Sequence, residues 1–117
     1  MSGSTDRQRP TLVIDILSNK WTVHILYALR LGTRRHSEIK KALPDTTQKV
    51  LTDTLRKLER CGIVQRTLYP SVPPQVEYKL TELGAELLNL SEIMAIWTEK
   101  HAKKILQAQK AYDRRKG

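Results

Sequence analysis

The stretch TTQKVLTDTLRKLERCGIVQRTLYPSVPPQVEYKL, residues 46–80, changes its hydrophobic period partway along, and that change decides the fold. Its first part repeats at helical spacing. With Gln48 at zero and about 100° per residue, Val50, Leu51, Thr54, Leu55 and Leu58 fall between about 200° and 340°, one continuous apolar side. Thr46 or Thr47 is the expected N-cap, because a hydroxyl oxygen accepts from the open N–H groups of a first turn. Gly62 stands where a helix ending near Cys61 needs a residue free to turn left-handed. Beyond it, Ile63–Tyr69 is rich in β-branched and aromatic residues. The turn Pro70-Ser71-Val72-Pro73-Pro74 follows, and Val76-Glu77-Tyr78-Lys79-Leu80 then alternates apolar and polar. That pattern predicts a hairpin with Val76, Tyr78 and Leu80 inward and Glu77 and Lys79 outward.

Upstream of this stretch, three shorter helical patterns can be read. Leu12, Val13, Ile16 and Leu17 recur at helical spacing after Pro10 and Thr11. Asn19, Trp21, Ile25, Ala28 and Leu29 mark a second helix ended by Gly32, and Ser37 introduces a third through Ile39, Lys40, Ala42 and Leu43, stopped by Pro44. Downstream, Thr81 caps a helix to about Tyr112, roughly 45–50 Å long if unbroken, where Asn89 and Ser91 could admit a bend. Helix, helix, short turn, helix, hairpin, helix is the order of a winged helix-turn-helix, so the expected class is mostly α (α+β). The expected organisation is a flexible arm over 1–10, the DNA-binding winged domain over 11–80, a dimerisation helix over 81–112 and a basic tail over 113–117.

Charge says what such a fold would meet. The 117 residues carry 21 Lys+Arg against 12 Asp+Glu, a formal +9, and residues 18–79 hold +7 of it. A polyanion is the expected partner. A single cysteine excludes a disulfide framework and a Cys-rich zinc site. Apolar runs fall far short of the ~20 residues that cross a bilayer, and MSGSTDRQRP has no apolar core of a signal peptide. A cytoplasmic, nucleoid-associated protein without cofactor or metal is expected.

On the 47–61 helix, the side opposite the apolar one carries hydrogen-bonding and cationic groups that owe nothing to a core. Thr47, Gln48, Lys49, Thr52, Asp53 and Arg56 are the candidates for base contact in a major groove. Lys57 and Arg60, further along, suit phosphates. Arg66, Gln75 and Lys79 on the wing (about 64–80) suit flanking backbone or minor groove, and Lys20, Arg34, Arg35, Lys40 and Lys41 sit where helix starts and turns bring N–H groups to phosphates. A winged-helix module for protein contacts, or one coating nucleic acid without sequence preference, is the alternative use of the same features.

The last helix follows a seam of period near 3.5 through Leu83, Leu87, Leu90, Met94, Trp97 and His101, then Ala108 and Tyr112, with a slip near Ile105. With the core expected in the first 80 residues, this seam predicts a homodimer. Leu12, Ile16, Leu87, Leu90, Met94, Trp97 and His101 are its candidate residues. Two-fold symmetry would make the operator pseudo-palindromic.

Asn19-Lys20-Trp21, Arg35-His36-Ser37-Glu38-Ile39, Leu51-Thr52-Asp53-Thr54-Leu55, Leu58–Val64, the run Tyr69–Tyr78, Leu80-Thr81-Glu82-Leu83-Gly84 and Trp97 together resemble the HxlR-type bacterial transcriptional regulators. The resemblance covers about residues 12–101, and Tyr69–Gly84 is its specific part. It implies a dimeric winged-helix regulator with the 47–61 helix in the groove and the terminal helices in the dimer. The family's redox-sensing cysteine before a proline falls here on Gln8 or Arg9 ahead of Pro10, so thiol sensing by that route is not expected. The usual phenylalanine is His36, and the usual Gly-Gly before Lys-Trp is Ser18-Asn19.

Cys61 reads as a small packing residue. His24, His36 and His101 form no spaced set with Cys, Asp or Glu, and no nucleophile–base pair or Gly-rich phosphate loop is present, so no catalysis is expected. An effector is unassigned: Trp21, Tyr27, Met94 and Trp97 read as core rather than as a pocket.

Overall fold

The computed structural model describes residues 12–116. The arm expected over residues 1–10, with Gln8, Arg9 and Pro10, lies outside the described residues. Helix α1 spans Leu12–Leu17 and α2 Lys20–Ala28. Strand β1 is Arg34–Arg35, α3 is His36–Ala42 and α4 is Gln48–Arg60. The hairpin strands are β2, Val64–Tyr69, and β3, Gln75–Leu80, and α5 runs over Glu82–Lys116. Together they make a winged helix-turn-helix, mostly helical, with one small antiparallel sheet ordered β1-β3-β2.

The caps explain most boundaries. Asn19 Oδ1 accepts from the Trp21 N–H at 2.8 Å and opens α2. Thr47 Oγ1 accepts from the Val50 N–H at 3.1 Å and opens α4, which ends through Cys61 into Gly62 at φ +74°. Thr81 Oγ1 accepts from the Gly84 N–H at 3.1 Å and opens α5. Two expected boundaries ahead of the wing differ, and a third differs at the end of α5, which carries the expected tail residues 113–116 in helix. Helix α2 stops at Ala28, and the chain then turns through Leu29–Gly32, where Gly32 has φ +140°. Helix α3 begins before Ser37: the Arg35 N–H donates to Glu38 Oε1 at 2.8 Å, so Glu38 reaches back to close the turn and Ser37 lies inside it.

Strand β1 has no counterpart in the sequence reading. Arg34 pairs with Tyr78 and Arg35 with Glu77, which ties the start of α3 to the inner wing strand. Within the hairpin Val64 faces Leu80, Arg66 faces Tyr78 and Tyr69 faces Gln75.

The core is formed by Ile25, Leu26 and Leu29 of α2 and its end, Ile39 and Leu43, the buried side of α4, Ile63, Val64, Tyr78, and Leu87 and Leu88 of α5. Val50, placed by its angle among the packing residues, is exposed, at the edge of the apolar side whose centre is held by buried Leu51, Thr54, Leu55 and Leu58. Cys61 is exposed as well, at the mouth of the α4–β2 turn rather than in the packing.

Helix α5 is continuous for 35 residues, about 50 Å at 1.5 Å per residue, with no break at Asn89 or Ser91. Ser91 is buried and its hydroxyl donates to the Leu88 carbonyl at 2.7 Å, which satisfies it without opening the helix. Only its first turns touch the body, through Gly84, Leu87, Leu88 and Ser91. Arg114, Arg115 and Lys116 are its last turn, where cations suit the negative end of a helix.

Candidate nucleic-acid interface

Helix α4 is held from behind. Leu51, Thr54, Leu55 and Leu58 are buried, and the Thr54 hydroxyl donates to the Val50 carbonyl at 2.7 Å while accepting from Asn19 Nδ2 at 3.2 Å. That second bond joins the cap of α2 to the middle of α4, so the opposite face is presented by a fixed scaffold. On that face Gln48, Lys49, Asp53 and Arg56 are exposed, and Thr52 is half-buried. Lys49 Nζ lies 3.1 Å from Asp53 Oδ2, with side chains 84% and 49% exposed. An exposed pair of this kind contributes at most ~1 kcal/mol, so it opens cheaply when a phosphate or base edge competes.

Between α4 and the wing lies a cleft of about 450 Å³ lined by Thr52, Arg56 and Glu59 on α4, Arg66, Val76 and Tyr78 on the hairpin, and His36. The structure therefore brings Thr52, Arg56 and Arg66 together. It does not bring in the other wing residues. With side chains alternating along β2 and β3, Arg66 shares the Tyr78 face that looks toward α4, whereas Gln75 and Lys79 share the opposite face with Glu77. Lys20 and Lys40 are elsewhere again: Lys20 lies over the Trp21 ring at 4.9 Å, and Lys40 Nζ donates to the Pro44 carbonyl at 3.3 Å. Arg34 and Arg35 sit on a strand, and the Arg35 N–H is spent on Glu38, so it is not free for a phosphate. Lys57 and Arg60 are exposed on the flank of α4 nearer α1.

His36 is the residue of this cleft that no sequence pattern points to. Its Nε2 lies 3.4 Å from Thr52 Oγ1, and its ring is 6.3 Å from that of Tyr78. The 16-residue separation hides that contact from any local pattern. Burial holds the imidazole below its ordinary value. Burial also raises the Tyr78 phenol, while the positive charge of Arg66 beside it pulls it back. Because the folded state resists protonating His36, the unfolded chain binds the extra proton first as pH falls below ~6.5. Its contribution is thus present above that pH and lost as pH falls through the lowered folded value. A His36→Gln chain is expected to lose less stability than the parent in urea unfolding between about pH 7 and about pH 5. Equal losses would remove His36 from the pH dependence.

The terminal seam is divided by the structure. Leu87 is buried within the chain's own core, because the root of α5 packs on α2, so it is unavailable to a partner. Leu12, Leu90, Met94 and Trp97 are exposed, and Ile16 packs partly on the core. The ring of half-buried His101 lies 4.7 Å from that of Trp97, tilted by 42°. Tyr27, Met94 and Trp97, read as core, are exposed, and Trp21 alone of that set packs against the core. For Met94 and Trp97 the cause is α5 itself, which leaves the body after Ser91, whereas Tyr27 lies on the outer side of α2. Ile93 and Ile96 are exposed and were missing from the seam, since a strict 3.5 period passes over them.

Among the described residues, no group of three or more His, Cys, Asp or Glu is placed to hold a metal ion, and no helix is long and apolar enough to cross a membrane.

Residues 16–106 match the family model described as HxlR-like helix-turn-helix. The uncharacterized HTH-type transcriptional regulator YtcD of Bacillus subtilis is 38% identical over 92 residues, 79% of this chain and 73% of that protein. The putative transcriptional regulator ytfH of Salmonella typhimurium superposes with TM-score 0.72 at 36% identity, covering 84% of this chain and 88% of the other. A putative regulator described as of the MarR family, from Enterococcus faecalis, gives TM-score 0.73 at 35% identity, over 86% and 92%.

Proposed function

Because this chain belongs to the HxlR-like helix-turn-helix family, we propose that it is a DNA-binding transcriptional regulator acting as a homodimer in the cytoplasm, on the nucleoid. Helix α4 enters the major groove, with Thr47, Gln48, Lys49, Thr52, Asp53 and Arg56 at base edges. Arg66 holds the flanking backbone beside Arg56; Lys57, Arg60, Lys20, Arg34, Lys40 and Lys79 supply outer charge, and Gln75 offers a neutral amide donor. The observation that carries this reading is the polar, exposed face of α4, fixed from behind by Asn19 and Thr54 and flanked by the Arg56–Arg66 cleft. The exposed apolar face of α5 supports the dimer, and a two-fold dimer favours a pseudo-palindromic operator.

Selection of bound duplexes from a random pool tests the reading. A specific regulator prefers its selected site over unrelated duplex by ~10³-fold or more. Equal competition by unrelated duplex would favour a non-specific coat instead, and no binding at all a module for protein contacts. On the selected site, Lys49→Ala and Arg56→Ala are each expected to weaken binding, Arg56→Ala by roughly 1–3 kcal/mol if its guanidinium pairs a base. A residue that meets phosphate instead lowers the slope of log affinity against log salt by about one. If both variants bind like the parent, α4 is not the reader.

A further inference from the structure

A second cleft, of about 540 Å³, opens between α1, the start of α2 and the C-terminal half of α4. It lies on the flank of α4 away from the wing, since its α4 residues are Thr54, Lys57, Leu58, Arg60 and Cys61, whereas the wing side uses Thr52, Arg56 and Glu59. Small-molecule sites fall in the range of roughly 300–1,000 Å³, with apolar walls and a few placed polar groups. This cleft has both. Ile16 and Leu58 give it an apolar floor, and its back wall is fixed by the Asn19–Thr54 hydrogen bond and the Asn19 cap of α2. The site is built before anything enters it.

At the rim stand Lys57 and Arg60, three residues apart and so neighbours on one side of α4, where like charges repel. Among the described residues neither is joined to a carboxylate; the ion pair of α4 is Lys49–Asp53, further up the helix. Asp15 also lines the cleft, so two cations face one anion and the rim keeps a net positive charge. An inorganic ion would answer the cations and leave the apolar floor wet. A duplex backbone can touch the cations from outside but cannot fill the floor. We propose that this cleft is a binding site for a small organic anion, whose apolar body rests on Ile16 and Leu58 and whose carboxylate or sulfonate lies between Lys57 and Arg60. The site does not depend on which bases α4 reads, although it shares Lys57 and Arg60 with the outer phosphate contacts proposed above, and its test contains no DNA.

Cys61 lines the cleft, is exposed, and is the only cysteine of the 117 residues, so its alkylation reports occupancy without ambiguity. The probe is 4-phenylbutyrate, and its uncharged amide is the comparison. The acid is expected to slow alkylation of Cys61 by iodoacetamide saturably, by about fivefold or more, and the amide to need roughly tenfold higher concentration, about 1.4 kcal/mol. A Lys57→Gln/Arg60→Gln chain should raise the half-protecting concentration of the acid by a similar roughly tenfold factor and leave that of the amide unchanged. Raising salt on the unaltered chain should weaken protection by the acid and spare that by the amide, a measurement that does not depend on the variant's folding. No protection at about 10 mM acid, equal protection by the amide, or protection indifferent to both salt and the double substitution overturns the proposal.

Discussion

A chain carrying Met94→Glu and Trp97→Glu is expected to sediment as a monomer and to bind its selected operator at least ~100-fold more weakly than the parent. Both side chains lie on the part of α5 beyond the body, 49% and 56% exposed, so their loss removes nothing from the chain's own core. A seam closed by a second copy would bury both carboxylates without partners, a cost of several kcal/mol per interface. Joining two half-site contacts in one molecule raises affinity by about 10²–10⁴ over either alone, and the monomer forfeits that gain. Far-ultraviolet circular dichroism separates dissociation from unfolding. A double variant that stays dimeric with the parent's helix content would move the interface off this face.

The second large effect is on the fold. Gly84→Ala is expected to cost about 3 kcal/mol, a fall in Tm of more than ~10 °C for a domain of this size. A Cβ at Gly84 would run into the Ile63 carbonyl and meet Leu80 Cδ2 at 3.2 Å. That carbonyl cannot step aside freely, since it accepts from the Thr81 N–H at 3.1 Å and from the Thr81 hydroxyl at 3.1 Å. The root of α5 must therefore lift from the start of β2, loosening Leu87 and Leu88 as well. Thermal unfolding measures this directly. A variant that melts within ~2 °C of the parent would mean the α5–β2 junction yields where its hydrogen bonds say it should not.

What could be read in advance followed the range of each interaction. Helix α4 and the hairpin were legible because their periods, caps and turn residues are local, and Thr47, Gly62 and Thr81 act where the sequence points to them. Strand β1 was not legible, since two residues cannot display a period and the pairing with Tyr78 and Glu77 spans more than forty positions. The same holds for His36 beside Thr52. Within the proposed interface, the charge inventory was readable but its grouping was not. Arg66 and Lys79 looked like one wing surface, although β alternation sends them to opposite faces of the hairpin. On α5 the apolar period was visible, yet nothing local marks Ser91 as the point where the helix quits the body and its apolar side chains change from core to surface.

That departure has a geometric consequence. From Ser91 to Lys116 the helix extends about 37 Å as a nearly stiff rod. A tilt of about 5° at its root displaces its far end by about 3 Å, close to the rise of one base pair. If two copies meet along this rod, the separation of their reading heads is set by how one helical turn seats on Ile63, Leu80 and the core of α2. Gly84 then acts as a calibration point. In such a dimer, a change too small to unfold the chain would alter which half-site spacing the pair accepts, an angle at the root of α5 read out as a distance along DNA.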